Sequence, residues 1–94
     1  MYRAEIIANQ SVQDEIIQLL EEHIEDILYT IIPLVNGRGK NSYKMGSSSW
    51  PETNFMLISY VRDEEVKTVK AIINAVKKKF VGEGIKIFFV KAED

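Results

Sequence analysis

Cysteine is absent from the 94 residues, so disulfides and thiolate metal sites are excluded and nothing points to an oxidising compartment. Histidine is nearly absent: His23 stands alone at the end of a helical pattern, without the partners that a metal centre or a general base needs. No long hydrophobic run exists. The longest, Ile27 to Val35, is interrupted by Thr30 and Pro33 and falls far short of the roughly 20 residues a bilayer span requires. Met1-Tyr2-Arg3-Ala4-Glu5 holds no apolar signal core, so a cytoplasmic location is expected. Positive charge is not in excess. Twelve Lys and Arg against 14 Asp and Glu leave a net charge of −2, which argues against a nucleic-acid-binding face.

What remains is the composition of a soluble protein, with 46% hydrophobic and 28% charged residues in a length that suits one domain over 1–94. Tyr2 to Ala8 reads as a strand. Ser11 and Asp14 form a capping-box pattern ahead of a helix whose stripe is Val12, Ile16, Leu19, Leu20 and His23. A second strand spans Ile27 to Val35 and a third Phe55 to Val61. Asp63 is expected to cap a second helix with the stripe Val66, Val69, Ile73, Val76 and Phe80, and Gly82 to lie past its last turn. Ile85 to Val90 is the fourth strand. The order β-α-β-β-α-β specifies an α+β, ferredoxin-like fold, with a four-stranded antiparallel sheet and two helices on one face.

That plan leaves a problem on the other face. Along the second strand Ile27, Tyr29, Ile31 and Val35 oppose Leu28, Ile32 and Leu34. On the third, Phe55, Leu57 and Val61 oppose Met56, Ile58 and Tyr60. On the fourth, Ile85, Ile87 and Phe89 oppose Phe88 and Val90. Both faces are apolar, and two helices cover one. A second chain is expected to cover the other, since about 800 Å² per partner at about 25 cal/mol per Å² is about 20 kcal/mol before association costs. The alternative is that the long loop folds back over its own sheet.

The loop is the second unusual feature. Nineteen residues, Asn36 to Asn54, join strands two and three. Loops beyond about 12–15 residues are uncommon in small domains and usually functional or disordered. It opens with Gly37-Arg38-Gly39-Lys40, where glycine N–H groups and two cations suit an anion, and Lys44 adds charge. A flexible turn with solvated charges explains the same residues. Gly82-Glu83-Gly84 is a second backbone cradle or a plain helix stop. Trp50, with Tyr43 and Met45, is a contact surface or a loop anchor. No nucleophile–base–orienter set is visible, so no enzyme is expected.

The element order, the loop after strand two and the two glycine turns together resemble the PII signalling family. The entry to helix two, Val61-Arg62-Asp63-Glu64-Glu65-Val66, is similar as well. The resemblance implies a homotrimer built through the sheets, with 36–54 as its mobile T-loop. It implies adenine nucleotides, ATP or ADP, in clefts between subunits, with Gly37, Arg38, Gly39 and Lys40 at the loop entrance. Gly82, Glu83 and Gly84, with Lys86 just beyond, would meet the phosphates. Tyr43, Lys44, Met45 and Trp50 would face a partner protein, a transporter or an enzyme. Two departures mark a divergent member. Ile85 stands where the family has a lysine, which moves to Lys86, and Lys91-Ala92-Glu93-Asp94 replaces a basic tail. The ligand is accordingly an adenine nucleotide or another small anion. The alternatives are an oligomeric interaction module without a small-molecule ligand, and a CutA-like metal-responsive protein. No nucleic-acid partner and no membrane insertion are expected.

Overall fold

Alternation along β1 (Tyr2–Asn9) sets the two faces of the sheet, with Ala4, Ile6 and Ala8 buried and Arg3, Glu5 and Ile7 on the opposite side. The computed structural model describes residues 1–37 and 53–93. β1 pairs antiparallel with β3 (Asn54–Val61) and with β4 (Ile85–Lys91), and β3 pairs with β2 (Thr30–Val35). The sheet order is β2-β3-β1-β4. α1 (Gln13–His23) and α2 (Val66–Lys79) contribute Ile16, Leu20, Val69, Ile72, Ile73 and Val76 to one core with Ile6, Phe55, Leu57 and Ile85. Lys79 Nζ, 3.2 Å from Glu15 Oε2, ties the two helices together at the surface. This is the antiparallel α+β plan expected from the sequence.

Local boundaries differ in instructive ways. The cap ahead of the first helix is Asn9, not Ser11: the Asn9 side chain accepts the Ser11 N–H at 2.9 Å and opens a 3₁₀ turn, Gln10–Val12. A short amide at the strand end reaches the N–H two residues on and takes the cap first. Asp63 does not cap the second helix either. Glu65 reaches back to accept the Arg62 backbone N–H at 2.9 Å and its guanidinium at 2.8 Å. Asp63 instead accepts the terminal ammonium of Met1 at 2.7 Å, which holds its carboxyl below the usual range. His23 lies off the buried stripe and is exposed, its Nδ1 3.0 Å from the Leu19 carbonyl oxygen.

The second strand starts at Thr30 rather than Ile27. Asp26 turns the chain with φ 56°, and the Leu28 carbonyl accepts the Ser59 hydroxyl at 2.7 Å, outside any ladder. Ser59 is the buried polar residue of the described core. Past Ile32 the β2–β3 register shifts, which breaks the expected face alternation before Val35. Pro33 sits in that irregularity, where its missing N–H removes a ladder donor. No helix among the described residues is long and apolar enough to cross a membrane.

Candidate functional site

The end of β1 gathers the features that the sequence singles out separately. The Asn9 N–H donates to the Gly84 carbonyl at 3.0 Å, and the Gln10 N–H to the Thr53 carbonyl at 2.9 Å. The Gln10 side-chain amide donates to the Pro33 carbonyl. The glycine turn before β4 and both stems of the long segment therefore meet at one end of the sheet. Gly37 follows directly on the β2 stem and is exposed.

Within that turn the glycines are not equivalent. Gly82 has φ +99°, a backbone that other residues rarely adopt, and the Glu83 N–H donates to the Phe80 carbonyl at 3.1 Å. Gly37 and Gly84 have no positive φ, and a Cβ on either would meet nothing within 4 Å. The described residues give no reason for glycine at those two positions. Glu83 is exposed beside them. Ile85 turns into the core at 7% exposure, whereas Lys86 stands opposite Ile7 on the far face of the sheet. The one-residue displacement of the lysine thus moves its cation to the other side of the strand. Arg38, Gly39, Lys40, Tyr43, Lys44, Met45 and Trp50 lie outside the described residues.

A shallow cleft of about 410 Å³ lies at the opposite end of the β2–β3 pair, lined by Glu25, Asp26, Ile27, Leu28, Tyr60, Val61, Arg62 and Glu65. Sequence reasoning did not anticipate it. Its signal was the register: with Thr30 opposite Ile58, the residues before β2 must lie beside those after Tyr60. The Arg62 guanidinium is held charged more firmly than usual, by its hydrogen bond to Glu65 first and by the nearby carboxylates second.

The sheet face away from the helices carries Ile32, Met56, Ile58, Tyr60, Phe88 and Val90, as the strand patterns require. Phe88 and Val90 are 50% exposed and Tyr60 55%. The central strand adds Arg3 and Glu5 to this face, a charged pair that alternation in the other three strands does not reveal. Among the described residues no group of three or more His, Cys, Asp and Glu could hold a metal ion.

The family model of Nitrogen regulatory protein P-II matches residues 1–94. No curated protein matches the chain. Among solved structures, CPII, a nitrogen regulatory PII-like protein from Thiomonas intermedia K12 bound to ADP, AMP and bicarbonate, is 17% identical. It superposes with a TM-score of 0.68 over 99% of this chain and 92% of that one. The same protein bound to ADP, AMP and acetate is similar over 99% of this chain and 88% of that one, at 16% identity and a TM-score of 0.68. A PII-like signalling candidate from Thermus thermophilus is 16% identical, with a TM-score of 0.63 over 95% and 84% of the two chains. At such identities the likeness shows the fold.

Proposed function

The chain belongs to the nitrogen regulatory protein P-II family, and on that premise we propose that it is a trimeric, non-enzymatic regulator acting in the cytoplasm as one domain. A small anion, an adenine nucleotide such as ATP or ADP in the first instance, binds in clefts between subunits. Gly37, Arg38, Gly39 and Lys40 approach it from the loop base, and Gly82, Glu83 and Gly84 from the second turn. Contacts made in only one state of the 36–54 segment then shift its population toward that state. Tyr43, Lys44, Met45 and Trp50 present the ordered segment to a partner protein, a transporter or an enzyme.

The observation that carries this reading is the meeting of both loop stems and the glycine turn at Asn9 and Gln10. Glycine at 37 and 84, without a steric or conformational reason among the described residues, supports a close approach by a ligand. That CPII was solved with ADP, AMP and bicarbonate supports the ligand class. Calorimetry with ADP, AMP and ATP, with and without magnesium, tests it. Heat of binding together with new amide protection in 36–54 is expected. No heat and no protection at millimolar nucleotide would remove the nucleotide.

One observation favours a second reading. Lys86 lies on the far sheet face instead of in the turn, which leaves the turn one cation short. A ligand-independent interaction module would keep its partner in a pull-down after Arg38→Ala and lose it after Trp50→Ala. The regulator proposed here loses ligand control with Arg38→Ala.

A further inference from the structure

A charged pair sits within the mostly apolar sheet face away from the helices, on which Lys86, opposite Ile7, is a third charge. Arg3 and Glu5 are two residues apart on β1, which has a paired strand on each side. Arg3 is flanked by Tyr60 and Val90, and Glu5 by Ile58 and Phe88. Arg3 Nε lies 2.8 Å from Glu5 Oε2, but its N–H is not aimed at an acceptor and the atom is shielded from solvent. Arg3 Nη1 reaches the Tyr60 hydroxyl only at 3.4 Å. A guanidinium has five N–H donors in a fixed fork, so most of Arg3's donors find no acceptor among the described residues.

Left in water, such a pair contributes little. Covering the apolar ring changes that, because two charges then leave water and each unused donor needs an acceptor. Arg3 and Glu5 set one charge of each sign side by side, which makes this part of the face complementary to itself, while Lys86 stands nearer the other end of β1, opposite Ile7. Phe88, Val90 and Ile58 attract another apolar face without direction. Rotated or shifted packings bury similar apolar area, but they strand the charges.

We propose that Arg3 and Glu5 fix the register in which copies of this chain pack sheet face against sheet face, each copy supplying acceptors for the guanidinium of another. This rests on the oligomer proposed above. The pair confers a single mode of assembly more than it confers strength.

Native mass spectrometry and sedimentation velocity of the full chain test the two levels separately. A wild type that stays a single chain, or a Phe88→Glu variant that assembles unchanged, overturns the sheet-face oligomer and this proposal with it. Where both behave as expected, Arg3→Glu and Glu5→Arg should each weaken assembly by about tenfold or more, because like charges then face one another. An equimolar mixture of the two variants should assemble again, with both masses in one particle. The Arg3→Met/Glu5→Met variant, which keeps the volume and removes the charge, should assemble at least as tightly but with more than one subunit number. Single variants that assemble like the wild type, a mixture that stays apart, or a double-Met variant with one subunit number would each overturn the role of the pair and leave the sheet-face oligomer standing.

Discussion

The backbone N–H of Gln10 donates to the carbonyl of Thr53 at 2.9 Å, immediately before β3 begins. The side chain of the same Gln10 donates to the Pro33 carbonyl inside β2. One residue thus holds both strands that frame the long segment, and Asn9 beside it holds the glycine turn through Gly84. The bond to Pro33 falls where the β2–β3 register lapses between Ile32 and Val35, so it substitutes for a missing rung of the ladder. The glycine turn and the base of the loop are thus held by adjacent residues.

Removing that bracket should loosen the loop base more than the rest of the sheet. Gln10→Ala keeps the backbone bond to Thr53 and deletes the side-chain bond to Pro33. A net loss of about 1 kcal/mol is expected from urea unfolding. Amide exchange should accelerate across Thr30–Val35, while the β1–β4 pairing keeps its protection. Unchanged exchange in β2 would mean that the strand is held without Gln10.

Tyr29 gives a test by pH. Its phenol donates to Glu21 Oε2 at 2.9 Å, and its pKa is raised above 10.0 by that hydrogen bond first, then by desolvation and by the Glu21 charge. The folded state therefore favours the protonated phenol. Its contribution is complete below the unfolded pKa of about 10 and is lost as pH rises through the higher folded value. In an ultraviolet titration Tyr29 should ionise later than an unperturbed tyrosine. Glu21→Gln should bring it back toward the ordinary value, and a Tyr29 transition that ignores Glu21→Gln would refute the assignment.

Much of this arrangement was legible in the residues. Period-two alternation in Phe55–Val61 and Ile85–Val90 placed those strands and their faces, because a buried face tolerates no slip of register, whereas Tyr2–Ala8 was legible as a strand without its faces. The same parity put Ile85 and Lys86 on opposite faces, and the pairing with β1 shows that Ile85 is on the core side and Lys86 opposite Ile7. Caps were less legible. Ser11 and Asp63 fit the cap pattern, yet Asn9 and Glu65 make the bonds, since several short polar side chains compete for the same N–H groups and local geometry decides. Strand two was over-long because the β-like run from Ile27 gives no sign of where pairing starts; in the structure the Leu28 carbonyl accepts the Ser59 hydroxyl instead of joining the ladder. The cleft around Asp26 and Arg62 depends on long-range register, and the Asn9–Gly84 and Gln10–Thr53 bonds depend on it too. None of these follows from spacing along the chain.

Neighbouring residues on β3 separate the two faces energetically. Leu57 is fully buried under the helices, and Leu57→Ala should cost about 2–5 kcal/mol at every protein concentration. Ile58 lies on the opposite face beside Glu5. If another copy covers it, Ile58→Ala should lower the thermal midpoint most at concentrations near the assembly threshold. A concentration-independent effect of Ile58→Ala would mean that this face is not an interface.

The two glycines of the second turn distinguish folding from binding. Gly82 adopts φ +99°, where an alanine is strained whatever space surrounds it, so Gly82→Ala should destabilise the protein by about 1–2 kcal/mol or more. Gly84 has no such backbone, and an added methyl would meet no atom within 4 Å, so Gly84→Ala should leave the thermal midpoint unchanged or slightly raised. Its effect belongs to whatever approaches the turn from outside the protomer. If phosphate oxygens come within hydrogen-bond distance of this backbone, the methyl obstructs them, and ADP affinity should fall with stability intact. The same contrast applies to Gly37→Ala at the loop base, where none of the described residues crowds a methyl either. A Gly84→Ala protein that binds ADP as the wild type does would move the anion site away from this turn, however the loop behaves.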